Sequence, residues 1–233
     1  MRKRFASSSA SGLLLIVLIC SPGSLFAQTP HMGIVVEQQA GNKVEVKNPQ
    51  HIFHAGDLVR FRFRSSFDGY LYVMDQSTSG KYLLLFPVQE VQNANRVEQN
   101  KEYLIPATNG SWFRVDDPPG YETVYFLISP VPMEKAAVSP PHPLPAEPPP
   151  PSAPAALLPR CDDSVFRARG ECVDVLAGPR SVSPDETLPS QLPITPGATP
   201  RDITVINKPA ATVVAPKDGA MGPLIYQFRL AHR

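Results

Sequence analysis

From Val59 the chain alternates without a break: Val59, Phe61 and Phe63 fall on one side, Arg60, Arg62 and Arg64 on the other. A period of two marks a strand with one buried face and one solvated face, and no helix accommodates it. The stretch 56–87, GDLVRFRFRSSFDGYLYVMDQSTSGKYLLLFP, extends this into three expected strands. Asp68-Gly69 and Ser79-Gly80 read as the tight turns between them, because glycine supplies the positive φ that short hairpins need. A sheet with a dry side is therefore fixed at once. Nothing in this stretch specifies a reaction.

Further strands are expected around it. Residues 33–38 and 43–47 flank a Gly41-Asn42 turn, and Asn48-Pro49 ends the second run, since proline brings no donor to a ladder. Short strands follow at 103–105 and 112–115. Residues 123–128 form an apolar, β-branched and aromatic run, expected to be buried on both faces. The Asp116 to Gly120 sequence DDPPG is a turn with a clear mechanism, proline fixing φ and glycine closing the reversal. Short strands at this spacing specify a β-sandwich or barrel. An antiparallel, immunoglobulin-like β-sandwich over residues 28–131 is the expected core.

The composition changes after Pro130. Of 233 residues 28 are proline, about 12% against about 5% in an average protein. Residues 132–200 read as a proline-rich excursion, partly a stiff polyproline II spacer, with a short helix at 161–176 and a turn-rich stretch from 178 to 200. Strand signals return at 203–206, at 212–214 and in the alternation of Leu224, Tyr226, Phe228 and Leu230. A lone amphipathic strand is not stable. Residues 201–233 are therefore expected to rejoin the sandwich, with Gln227 and Arg229 on a solvated outer face. An unattached tail is the alternative.

The N-terminus reads as a secretory signal over residues 1–27. Arg2, Lys3 and Arg4 precede an apolar run from Leu13 to Cys20, and Ala27 ends a cleavage site. The run is shorter than the roughly 20 apolar residues of a membrane span, so no stable span is expected once the signal is removed. A retained anchor is the alternative. Cleavage leaves Cys161 and Cys172, an even pair whose simplest state in an exported chain is one disulfide. A periplasmic or secreted location follows. The formal charge of +1 speaks against nucleic acid as a partner.

The segment GDLVRFRFRSSFDGYLYVMDQSTSGKYLLLFP, then YLIPA, then WFRVDDPPGYETVYFLISP resembles the bacterial family called domain of unknown function 4384. The matching positions are Gly56, Asp57, Asp68, Gly69, Tyr70, Leu85, Phe86, Pro87, Ile105, Pro106, Pro119, Gly120, Glu122, Ser129 and Pro130. The resemblance spans residues 56–131. It implies an all-β accessory domain of exported bacterial proteins, with no established activity, cofactor or catalytic residue to carry over.

Each candidate site has a plainer rival. Arg60, Arg62 and Arg64 place three guanidiniums on one face, about 7 Å apart. They form an anion or partner face for an envelope polymer or protein, or else a solvated face paired with acids on the next strand. Tyr70 and Tyr72 share a face, and with Tyr82, Trp112, Tyr121 and Tyr125 suggest an aromatic platform, although strands and cores use such residues anyway. His51 and His54, near Asp57, have metal spacing only on a helix, and a strand is expected there. Asp116, Asp117 and Glu122 surround an exposed turn, where carboxylates keep ordinary acidity. No Ser-His-Asp order, phosphate loop or zinc spacing stands in the sequence. The favoured function is a non-enzymatic binding or scaffolding module of the cell envelope. A small periplasmic enzyme and an anchored envelope spacer are the alternatives.

Overall fold

The computed structural model describes residues 29–78, 80–87, 95–107, 111–115, 118–133, 157, 159–160, 172–183, 186, 188–189, 192, 200–208 and 211–233. All regular structure among them is β. In chain order the strands are β1 (Met32–Ala40), β2 (Lys43–Lys47), β3 (Ile52–Phe53), β4 (Leu58–Ser65), β5 (Gly69–Gln76) and β6 (Tyr82–Phe86). Next come β7 (Arg96–Val97), β8 (Glu102–Ile105), β9 (Phe113–Arg114), β10 (Gly120–Ser129) and β11 (Pro159–Arg160). Then follow β12 (Val173–Asp174), β13 (Gly178–Ser181), β14 (Ile203–Lys208), β15 (Ala211–Pro216) and β16 (Leu224–His232).

Two sheets face each other. The first runs β14-β15-β1-β4-β8, with β2 also on β1 and β9 also on β4. The second runs β13-β16-β10-β5-β6, with β3 also on β16 and β7 also on β5. A separate ribbon joins β11 to β12. The β-sandwich expected from the alternation is thus the fold. It is not purely antiparallel, because β3 runs parallel to β16.

The core between the sheets follows from the period of two. The first sheet contributes Met32, Ile34 and Val36, then Val59, Phe61 and Phe63, then Ile105 and Val214. The second answers with Leu71 and Val73, with Val124, Phe126 and Ile128, and with Leu224, Tyr226, Phe228 and Leu230. Phe61 is at the centre, with ring centroids 5.3 Å from Phe126 and 5.1 Å from Phe228, both edge to face. The last strand therefore does face the same core as Phe61.

Three local expectations are corrected. Asp68-Gly69 is not a hairpin turn: β4 belongs to the first sheet and β5 to the second, so the link crosses the sandwich. Gly69 is required there by close approach, since a Cβ would stand 2.7 Å from the carbonyl oxygen of Ser129. Gly80, by contrast, does turn the β5–β6 hairpin, at φ 78°. Second, β16 is an interior strand, flanked by β10, by β13 and at its end by β3. Gln227 on its other face is buried, as are Ile225 and Ala231. Third, residues 172–176 are strand and turn instead of helix, and 178–181 form β13 instead of irregular chain. Residues 161–171 lie outside the described residues.

The outer face of the second sheet is covered by parts of the proline-rich region. Met133, Val182, Leu188 and Leu192 pack over Tyr72, Met74, Tyr125, Leu127 and Ile225. At one end Leu157, Cys172 and Ala177 pack against Ile52, Tyr121 and Ala231. The central strands of the second sheet are thus dry on both faces, as expected for residues 123–128, while β6 at its edge exposes Tyr82, Leu83 and Leu84 and the first sheet keeps one face toward water.

Candidate functional site

That open face of the first sheet carries the arginine stripe. Val59, Phe61 and Phe63 are fully buried, and Arg60, Arg62 and Arg64 stand on the opposite side. Register then decides their partners. Glu37 on β1 lies opposite Arg60, and Val35 opposite Arg62. The buried Glu37 carboxylate accepts a hydrogen bond from Arg60 Nε at 2.7 Å, and Arg62 Nε lies 3.2 Å from its other oxygen. The second contact is a charge contact only, because its angle does not suit a hydrogen bond. Arg62 also lies 3.9 Å from Glu102. Arg60 additionally covers Trp112, its Cζ 4.2 Å from the ring centroid. So the plainer rival, pairing with acids on a neighbouring strand, holds for two of the three arginines.

Arg64 is different. It opposes Glu102 on β8 without an ion pair within 4.0 Å, and Gly33 on β1, which in turn opposes Val213 on β15. A strand residue without a side chain leaves a depression in the outer face. One pleat along, Lys208 on β14 opposes the small Ala211. The result is a cleft of about 370 Å³ with Gly33, Val35, Ala211 and Val213 as its floor. Arg62, Arg64 and Lys208 rise around it, with His31, Ser66, Asn100 and the carboxylate of Glu102 at its rim. Among the described residues no carboxylate lies within 4.0 Å of Arg64 or Lys208. The site thus carries three cations and one carboxylate, Glu102, over a largely apolar base. His31 Nδ1 lies 3.0 Å from the Thr29 carbonyl oxygen. That oxygen can only accept, so Nδ1 carries a hydrogen. Gly33, His31 and Lys208 escape sequence reading, because they meet only through the strand order β14-β15-β1-β4.

The other candidates separate. Tyr72 is buried, and its hydroxyl donates to the Met133 carbonyl oxygen at 3.2 Å. Tyr70 is half-buried on the same face, packed against that cluster. Tyr121 donates to Asp174 at 2.9 Å, and Tyr125 donates to Glu186 at 3.0 Å. Burial, followed by the Glu186 charge, pushes the Tyr125 phenol well up. Tyr82 is exposed on β6 and Trp112 lies under Arg60. These residues do not form one platform. His51 stacks edge to face on Phe53 at 4.8 Å, and His54 is exposed in a turn whose amide donates to Asp57. No group of three potential metal ligands occurs among the described residues.

Glu122 is the clearest surprise. It was expected at an exposed turn, but β10 starts at Gly120 and draws it inside. Its Oε1 accepts from Thr78 Oγ1 at 3.0 Å and lies 3.3 Å from Nε2 of the buried His232. Thr78 Oγ1 lies 2.9 Å from the same nitrogen. With its only proton given to Glu122, that hydroxyl accepts from His232 Nε2–H. A hydroxyl–imidazole–carboxylate relay needs the two partners on opposite ring nitrogens, so this cluster ties the β5–β6 turn to β10 and β16. Asp116 and Asp117 lie outside the described residues, as does Cys161. Cys172 packs at the end of the second sheet.

This is a two-sheet β-sandwich with a basic cleft on its one open face. Residues 52–132 match the family described as Domain of unknown function (DUF4384). Over that segment the chain carries the domain that the motifs pointed to. No curated protein and no solved structure matched the chain. Among the described residues no helix is long and apolar enough to cross a membrane.

Proposed function

We propose that the protein is an exported, non-enzymatic binding or scaffolding module of the bacterial cell envelope, periplasmic or secreted. It would hold an envelope protein or polymer on the open face of the first sheet. One observation carries this reading: Arg64 and Lys208 border a cleft in which three cations face one carboxylate, Glu102, and neither Arg64 nor Lys208 has a carboxylate within 4.0 Å among the described residues. Cations left uncompensated beside a concave surface attract and orient an anion. Arg60 and Arg62, tied to Glu37, give that face a fixed frame instead of a second ligand.

The reading is tested with purified protein immobilised and exposed to a native envelope extract. Material should be retained at low ionic strength and released as salt screens the contact. The double variant Arg64→Glu, Lys208→Glu should retain little. Equal retention by both proteins would sink the proposal. Export is tested separately by sequencing the N-terminus of the protein recovered from cells, which should start near Gln28.

A further inference from the structure

We infer that the cleft over Gly33 binds a phosphate group carried on a body the size of a sugar ring. This rests on the reading of the open face as a binding surface and names the chemistry it takes. Lys208 stands one pleat along from Arg64, on a strand separated from β4 by β15 and β1, so their Cα atoms are about 16 Å apart. Both line the cleft. A group bridging them must offer acceptors in two directions. A carboxylate spends both its oxygens on one guanidinium fork, whereas a phosphate keeps a further oxygen for the ammonium.

The rest of the cleft describes the body. Its volume of about 370 Å³ lies in the range of small-molecule sites and exceeds what a bare phosphate needs. The floor of Gly33, Val35, Ala211 and Val213 is flat and apolar, suited to the C–H face of a pyranose. The rim offers Ser66, Asn100, His31 and the Glu102 carboxylate to ring hydroxyls. Asn100 is held there in the left-handed region at φ 62°, its amide bound to the Ser65 carbonyl oxygen at 2.8 Å. Gly33 is the position that decides access. A Cβ there would meet only the Arg64 carbonyl oxygen, at 3.9 Å, so a larger side chain can be introduced without moving the backbone. It would fill the cleft.

Calorimetric titration with glucose 6-phosphate, glucose, inorganic phosphate and glucuronate tests this. Glucose 6-phosphate should bind at least about tenfold more tightly than each of the other three. Arg64→Gln and Lys208→Gln should each weaken it about tenfold or more. Gly33→Leu should abolish binding with an unchanged thermal midpoint. If that variant unfolds, Ala211→Phe fills the same space from the adjacent strand. A phosphodiester-linked mannan separates the sources: preference for it indicates a polymer, and preference for glucose 6-phosphate a free monoester. Either supports the phosphate site. Glucose 6-phosphate bound no better than glucose or glucuronate, or bound equally by the cleft-filling variants, overturns it. In that case, salt-sensitive envelope capture that still depends on Arg64 and Lys208 would leave the broader reading standing. Loss of both would remove both.

Discussion

Phe61 shows how far single residues can be read from sequence. Its alternation with arginines predicts burial, and its ring meets Phe113, Phe126 and Phe228. Phe61→Ala should cost about 3–5 kcal/mol, seen as a large drop in the denaturation midpoint; an unchanged midpoint would contradict the packing. Gly69 shows where reading fails. Glycine beside aspartate signals a turn, yet the cause here is a neighbouring carbonyl that only the folded sandwich brings near. Gly69→Ala should therefore destabilise by about 1–3 kcal/mol through overpacking, measurable in the same experiment. Glu122 and Gln227 were misjudged for a related reason: a polar residue on a strand looks solvated until another layer covers it. Tyr226 allows a test of polarity inside the core. Its hydroxyl has no hydrogen-bond partner among the described residues, and burial raises its pKa well above the ordinary value of 10.0. The unfolded chain loses that proton first, so the stability it contributes is present below about pH 10 and is lost as pH rises further. Tyr226→Phe should be neutral or stabilising by up to about 1 kcal/mol near neutrality. It should also blunt the fall in stability above pH 10, as read by denaturant titration across pH. A clear loss at neutral pH would mean that the hydroxyl has a partner.

Strands with strong periodicity were legible as elements; short and proline-bearing ones were not. β1, β4, β10 and β16 all show in the sequence, because each buries at least one continuous apolar row. β13 does not, since Gly178, Pro179 and Arg180 carry no alternation and the strand exists through its pairing with β16. β3, with two residues, is likewise a product of its neighbour. The basic cleft was half legible. The arginines announced themselves, while Lys208 and Gly33 required the strand order. That order also bears on the family segment. Residues 52–132 include β4 and β10 but neither β1 nor β16, their main partners in the two sheets. A fragment of residues 52–132 should therefore be unfolded by circular dichroism and proteolysis. Deleting residues 222–233 from the full chain should abolish its cooperative melting transition. If the fragment melted cooperatively, the flanking strands would be additions to a self-sufficient core.

For the molecule as a whole, the outer face of the first sheet is open, and that of the second is covered over β5, β10 and β16 by residues from the proline-rich region. Cys172 belongs to that cover, and its expected pairing with Cys161 would fasten it. Intact-mass analysis with and without reduction should show the two-proton difference of one disulfide in material recovered from the envelope; free thiols there would end the idea. Removing the bond should loosen the cover more than the sandwich, because Cys172 packs at the end of the second sheet and not between the layers. The interior position of β16 has a further consequence, for the timing of folding during synthesis. β10 is complete at Ser129, but the strand that pairs along its whole length begins only at Leu224. Until that strand leaves the ribosome, β10 presents an unpaired edge, and the second sheet lacks the element that joins β13 and β3 to it. The chain thus cannot close its sandwich as it is made. If the chain is exported as proposed, a machinery that threads unfolded chains would meet it in the state it requires.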